Sequence, residues 1–205
     1  MNEGGQLRLF NGQNGEWLAD IKKISKQSIL VEFTKELRQQ KSSPEIHILA
    51  SPIKKEALDF MVEKVTELCA SHFWPVTCER TIVRRINQER LQAVATEAAE
   101  QSERLDVMRV EELSDLEPLL ARWPSQKRIL CCLERSEAPM LAQTLKQEKL
   151  SSPLGILVGP EGGFSEKEIK HIKRLDFITS VSLGEGILKS ETAAVAALAV
   201  IRQFI

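Results

Sequence analysis

The feature that most constrains this chain is a pair of units near its end, each made of an apolar run, a glycine-bearing loop and a helical pattern. In the first, Leu154 to Val158 (LGILV) leads into Gly159-Pro160-Glu161-Gly162-Gly163-Phe164 and then SEKEIKHIKRL. In the second, Phe177, Ile178 and Val181 lead into SLGEGILKSETAA (182–194). A short apolar run, a glycine-rich turn and a 3.6-residue period read as strand, loop and helix. Ser165 with Glu168 three places on is a capping-box pair, so the first helix starts at Ser165. Adjacent glycines let a backbone approach a ligand closely, and open α/β sheets bind ligands at the carboxyl ends of their strands. A tight turn holding no ligand explains the first loop equally well. A second such loop about twenty residues later points to one composite pocket.

The chain from residue 44 onward repeats the alternation. EIHILA (45–50) is a buried-type strand, and Pro52 to Cys69 carries apolar residues on one helical face. HFWPVTC (72–78) is a strand with a proline; Asn87 to Gln101 is a helix that Asn87 caps. Ser114 to Trp123 reads as a short helix with a second capping box, Ser114 and Glu117. KRILCCL (127–133) is a central strand, Pro139 to Glu148 a helix, and Ser190 to Phe204 a last helix that is apolar almost all round. A helix without a polar face is buried, inside the domain or between subunits. Strands alternating with helices predict an α/β domain with a mostly parallel sheet.

Residues 1 to 43 differ. QLRLF (6–10), EWLADIKKIS (16–25) and SILVEFTKEL (28–37) alternate in polarity and are joined by NGQNG and Lys26-Gln27. That pattern is an antiparallel meander. QQKSSP (39–44) reads as the linker, which gives domains 1–43 and 44–205.

Charge and cysteine usage narrow the classes. The net charge is −1, so no strong field draws the whole protein to nucleic acid. Residues 1–55 hold 9 Lys/Arg against 6 Asp/Glu, leaving 19 against 23 in the rest. An RNA contact therefore favours the front, where Lys22 and Lys23 lie, and the arginine-rich stretch from Arg80 to Arg90, including Arg84 and Arg85. Each such lysine is equally a solvated strand face. Four cysteines without a CxxC pair and three scattered histidines exclude a zinc site; reduced, buried, structural thiols are expected. The start is not a signal peptide, and the longest apolar run, Ala193 to Ile201, is half of a bilayer span, so a cytoplasmic protein with no membrane contact is expected.

The chain lacks GKS or GKT after its glycines, GxGxxG, GxSxG and HExxH, which removes the common nucleotide, dinucleotide, serine-hydrolase and zinc-protease sites. What remains are backbone-lined loops with Glu161, Glu185, Lys189, Glu191 and Thr192 as polar candidates. Backbone edges suit an adenine or a carboxylate, and carboxylates suit a cationic sulfonium.

ERTIVRRINQERLQAVATEAAEQSER (79–104), LVGPEGGFSEKEI (157–169) and SLGEGILKSETAAVAAL (182–198), with LRLFNGQNGEWLADI in front, resemble the RsmE family of 16S rRNA uridine N(3)-methyltransferases in the SPOUT superfamily. The resemblance runs in order from about residue 5 to the end. It implies a PUA-like β domain ahead of an α/β domain whose end forms a trefoil knot. It implies S-adenosylmethionine as cofactor, no metal, a homodimer, and 16S rRNA in the small ribosomal subunit as partner. The cofactor loops it assigns are Leu133 with Glu134 to Glu137; Val158, Gly159, Pro160, Gly162 and Gly163; and Leu183, Gly184, Ile187 and Leu188, with Thr192 following. Glu161 is then a candidate base or a cofactor-positioning carboxylate, and Lys189 a candidate anion stabiliser. Arg80, Arg84 and Arg85 are RNA-gripping candidates. Glu97, Gln101 and Arg104 match an E-x-x-x-Q-x-x-R pattern of the family, and Arg104 joins the RNA set; a salt-bridge cluster is the other reading.

Two departures stand out. The family's LGPRILRxETA is LGEGILKSETA here, with Glu185, Gly186 and Lys189 in place of a proline and two arginines. Family members also carry further residues ahead of the LFNG turn, so a barrel short of its first strand, with an open edge, is the expectation for residues 1–43. Two other readings follow: a SPOUT methyltransferase acting on another RNA, or a non-catalytic RNA-binding or ribosome-assembly factor.

Overall fold

The computed structural model describes residues 1–41, 43–134, 137–148 and 150–205. The meander forms as its alternation predicts: β1 (Gln6–Phe10), β2 (Glu16–Ile24) and β3 (Ile29–Arg38) pair antiparallel in that order. Gly12 and Gly15 take positive φ in the first turn, and a Cβ on Gly15 would lie 2.3 Å from the Arg38 carbonyl oxygen. Glu16 is buried between Arg8 and Arg38, with N–O distances of 2.7 and 2.6 Å. Chiefly through the Arg8 hydrogen bond, its carboxyl is held below the usual range. Arg38 also donates to the Glu103 carbonyl, Gln40 to that of Leu105, and the Ser43 amide to Asp106. These bonds moor the end of the meander and the linker to residues 103–106 of the larger part. On β3 the chain leaves Ile29, Leu30, Phe33 and Leu37 exposed.

The remainder alternates strand and helix: β4 (Ile46–Ala50), α1 (Lys55–Glu67), β5 (His72–Thr77), α2 (Gln88–Gln101), β6 (Arg109–Val110), β7 (Ser114–Asp115), α3 (Leu116–Ala121), β8 (Arg128–Cys132), α4 (Leu141–Glu148), β9 (Leu154–Val158), α5 (Glu166–Ile172), β10 (Ile178–Val181) and α6 (Ser190–Ile201). The sheet runs β10-β8-β9-β4-β5-β6, with β7 also on β5, and every pairing is parallel. All five residues of β4 and all five of β9 are buried. Strands covered on both faces need continuous apolar runs, and EIHILA and LGILV supply them. One face packs on α1, α2, α4 and α6 around Ile48, Met61, Phe73, Ile156 and Ala194; the other packs on α3 and α5 around Leu49, Leu120, Ile129 and Leu157. Pro75 sits within β5 where its outer partner is interrupted, since β6 pairs only to Phe73 and β7 resumes at Val76.

The caps separate local from tertiary control. Ser165 and Glu168 form the reciprocal capping box, and Asn87 accepts from the Arg90 amide. The expected box at Ser114 and Glu117 does not form. Ser114 and Asp115 pair with β5 instead, and the Asp115 carboxylate accepts from the Thr77 hydroxyl. Helix α1 starts at Lys55, later than Pro52.

After β10, at the sheet edge, the chain turns back to the centre. The Ser182 amide donates to the Pro139 carbonyl and the Leu141 amide to that of Ser182, both at 2.9 Å. Residues 183–189 then lead into α6, which packs on α1 and on β9. This return lies in the C-terminal part of the chain, to which the resemblance assigns the trefoil knot, and Ser190 bonds there to the Gly159 carbonyl. Among the described residues no helix is long and apolar enough to cross a membrane.

Candidate active site

The carboxyl ends of β8, β9 and β10 open into one cleft of about 440 Å³. Three segments wall it: Cys132 to Glu134, Val158 to Phe164, and Leu183 to Leu188 without Glu185, with Ser190 and Ala193 of α6 at the back. Of the residues assigned to a cofactor, Leu133, Glu134, Val158, Gly159, Pro160, Gly162, Gly163, Leu183, Gly184, Ile187 and Leu188 all line it. Arg135 and Ser136, within the assigned Glu134 to Glu137 loop, lie outside the described residues.

The glycines act in two ways. A Cβ on Gly159 would lie 2.9 Å from a ring carbon of the buried Phe164, so the bare backbone there admits that ring beneath the loop. Gly163 and Gly184 have φ of +68° and +126°, and a Cβ on either, or on Gly186, would meet no atom within 4 Å. All three residues line the cleft, and no neighbouring atom crowds their backbone on the side a side chain would take. The loops are tied together: Ser190 Oγ donates to the Gly159 carbonyl at 2.9 Å, joining the first residue of α6 to the end of β9.

Arg80, one of the RNA-gripping candidates, is exposed and also lines the cleft, where its Nη1 donates to the Gly162 carbonyl at 3.0 Å. The Glu79 amide donates to Glu168 Oε1 at 2.8 Å, while the other oxygen of Glu168 accepts the Ser165 amide at 2.7 Å. One carboxylate thus caps α5 and anchors the turn that carries Arg80.

Five residues depart from expectation. Arg104 is 7% exposed; its guanidinium donates to the Thr66 and Ala70 carbonyls and pairs with Asp106 at 3.1 Å. It closes the end of α1 and is not presented to RNA. Glu97 and Gln101 are exposed, so the three residues do not form a common cluster. Thr192 is exposed and off the cleft, because on α6 the inward positions are Ser190 and Ala193, three apart. Lys189, the N-cap of α6, is exposed and does not line the cleft. Glu161 does line it, at an exposed position. Arg84 and Arg85, which follow Arg80 in sequence, are exposed, and Lys22 pairs with Glu32 at 2.7 Å while Lys23 is exposed.

Cys132 touches the cleft, but its sulfur lies deep enough that burial pushes the thiol up to about 12. Cys78 is likewise pushed to about 11, mainly by burial. Neither is a thiolate near neutral pH, so they serve as apolar surface and not as nucleophiles. All four cysteines are free thiols, and among the described residues no group of three His, Cys, Asp or Glu side chains is arranged to hold a metal. Sequence reasoning missed Phe164, Ser190 and Ala193 as site residues. The Gly-Gly-Phe-Ser order and the helical spacing from Ser190 were the available signals.

Comparison with known proteins adds the following. A family model described as an RNA methyltransferase domain matches residues 40–202, and one described as an RNA methyltransferase PUA domain matches residues 1–34. The Ribosomal RNA small subunit methyltransferase E of Rickettsia conorii is 31% identical over 202 residues, 98% of this chain and 81% of that protein. The crystal structure of a Ribosomal RNA small subunit methyltransferase E from Neisseria gonorrhoeae bound to S-adenosyl methionine superposes with a TM-score of 0.86 at 26% identity, over 99% of this chain and 84% of that one. The A. aeolicus TrmH/SpoU tRNA modifying enzyme shares the fold alone, at a TM-score of 0.53 and 13% identity over 80% of this chain and 76% of that one.

Proposed function

The chain belongs to the RNA methyltransferase family that includes the Ribosomal RNA small subunit methyltransferase E proteins, and from that membership we propose that it methylates 16S rRNA with S-adenosylmethionine, at N(3) of a uridine in the small ribosomal subunit. The observation that carries the reading is the single cleft at the ends of β8, β9 and β10, where three loops from separate parts of the chain converge.

The residues fit the cofactor. Leu133, Leu188 and Phe164 give apolar walls for an adenosyl group, and backbone at Gly163, Gly184 and Gly186 faces open space where side chains would fill it. Glu134 and Glu161 supply negative charge suited to a sulfonium. The bound cofactor supplies an electrophilic methyl group.

The chain's own task is to bring one uracil edge to that group and to manage one proton. N(3) of uracil carries a hydrogen that must leave as the methyl arrives, and the base passes through a state with charge on its two carbonyl oxygens. Glu161, on the lip of the cleft, is the proton acceptor in this reading. Arg80, which lines the cleft, offsets the charge on the base, a part for which Lys189 is less well placed. Arg84, Arg85, Lys22 and Lys23 grip phosphate. Residues 1–43 act as the RNA-holding domain and 44–205 as the methyltransferase domain. The protein works as a cytoplasmic homodimer, with the nearly all-apolar helix α6 as the element for the subunit contact.

Calorimetric titration with S-adenosylhomocysteine, followed by methyl transfer to small ribosomal subunits and nucleoside analysis, tests the reading. One saturable site per subunit and 3-methyluridine as the product are expected. A methyl group at any other atom, or no transfer, overturns it.

A further inference from the structure

The turn from Cys78 to Arg84 is fastened at several points on both sides of Ile82. Thr81 is 4% exposed; its hydroxyl accepts the Cys78 amide at 2.7 Å and its amide donates to the Cys78 carbonyl at 3.1 Å. Glu79 is tied to Glu168, Arg80 to Gly162, and the Arg84 guanidinium donates to the Glu79 carbonyl at 3.3 Å. On this pinned turn Ile82 is 80% exposed, and among the exposed large apolar side chains only the terminal Met1, at 84%, is more so. A loose loop can fold such a side chain away. A pinned one cannot, and isoleucine, branched at Cβ, is stiff about χ1 as well.

The position of Ile82 gives this exposure a use. It stands two residues, at most about 7 Å of chain, from Arg80 in the cleft wall. Arg84 and Arg85 follow it; Arg85 is exposed and makes no ion pair among the described residues. On another wall of the cleft the loop 183–188 carries a second exposed aliphatic side chain, Ile187, at 56%. The uridine edge to be methylated must enter a concave cleft, which a nucleotide still in its stack cannot do. Extruding it leaves a gap between its neighbours, and proteins that unstack bases fill such gaps with Ile, Leu, Met, Phe or Pro wedges flanked by cations.

We propose that Ile82 is a positioning residue: an apolar wedge that takes the stack position vacated by the target nucleotide while Arg84 and Arg85 hold the flanking phosphates. The inference rests on the RNA methyltransferase reading above. It places the strand across the turn 78–85, with the extruded base directed past Arg80 into the cleft.

Steady-state methyl transfer to small ribosomal subunits from cells lacking the modification, with S-adenosylhomocysteine calorimetry beside it, tests the wedge. For Ile82→Ala the expected result is a kcat roughly ten- to a hundredfold lower with KM for subunits changed much less, because extrusion and not docking is impaired. Cofactor affinity stays at the wild-type value. Ile82→Leu restores most of the rate, whereas Ile82→Thr, similar in branching but polar, does not. Wild-type rates for Ile82→Ala, or equal rates for the Leu and Thr variants, overturn the wedge alone. A changed sedimentation coefficient for Ile82→Ala also overturns it, by making Ile82 a subunit contact. A wild-type protein that transfers no methyl group to the subunit overturns the functional reading and the wedge with it.

Discussion

At the amino-terminal ends of β4, β5 and β8 the chain packs His47, His72, Trp74 and Trp123 into one cluster; at the carboxyl ends of β8, β9 and β10 it leaves a cleft bordered by glycine backbone. In the cluster, ring centroids of His47 lie 4.6 Å from His72 and 5.3 Å from Trp123. Trp74 Nε1 donates to His47 Nδ1 at 3.1 Å, which leaves the imidazole proton on Nε2, 2.9 Å from Glu45 Oε1. Glu45 in turn pairs with Lys127. At this end every polar atom of the histidine has a partner and rings fill the space. At the other end Gly163, Gly184 and Gly186 leave space unfilled. The same sheet thus concentrates cohesion at one edge of its strands and room for a ligand at the other, and substitutions at the two ends should separate stability from binding.

The largest expected effect comes from opening the packed end. Trp123 is 7% exposed, and Trp123→Ala should lose about 3–5 kcal/mol of stability in urea unfolding. Affinity for S-adenosylhomocysteine should stay within a factor of about two, since the two ends share no partners. A parallel loss of binding would break the comparison.

Acid should act on the same end. Burial, with His72 and Lys127 adding to it, lowers the His47 pKa from 6.5 to about 4, against the opposing pull of Glu45. His72 is lowered too, mainly by burial, and the Glu45 carboxyl is lowered chiefly by Lys127. A histidine with a depressed folded pKa binds fewer protons folded than unfolded. Its stability contribution is therefore complete above pH 6.5 and lost as pH falls toward 4, on the order of 3 kcal/mol for His47. Unfolding free energy measured across that range should slope downward with acid, and His47→Gln should flatten the slope. An unchanged slope would mean the histidine cluster does not control acid sensitivity.

At the open end the effects are smaller on stability and larger on the ligand. Gly159→Ala puts a methyl group 2.9 Å from the Phe164 ring, which must shift toward neighbouring core at a cost of about 1–3 kcal/mol. Cofactor-product affinity should fall about tenfold or more, read by calorimetry, with the urea midpoint moving less than for Trp123→Ala. Undiminished binding would remove the Phe164–Gly159 seam from the site.

What could be read from sequence was whatever a few neighbouring residues decide. Ser165 and Glu168 meet within one helical turn, so their capping box was visible as spacing. Continuous apolar runs marked β4 and β9, and the resemblance brought the three loops to one cleft. The failures share a different cause, a partner far along the chain. Ser114 and Glu117 have the right spacing for a cap, but Thr77 and β5 take Ser114 and Asp115 into the sheet. Arg104 and Arg80 are both arginines in a basic motif, yet one is drawn inside by carbonyls near the end of α1, while the other, still exposed, is held at the cleft rim by Gly162, eighty-two residues away. Thr192 was misplaced by its neighbour's role, since the helical turn carries it away from the Ser190–Ala193 face.

Strand order also sets a schedule for the chain as it is made. β4 has one neighbour, β5, that follows it closely and another, β9, that ends only at Val158. Between Ala50 and Val158 lie about a hundred residues, some 5–20 seconds of synthesis at ordinary ribosomal rates. Through that interval one edge of a strand that ends up entirely buried waits without its permanent neighbour, the condition under which strands pair with the wrong chain. The cleft, whose last wall is residues 183–188, is completed only when nearly the whole protein has emerged. Early release of its first 150 residues should therefore yield aggregate and not a smaller folded domain.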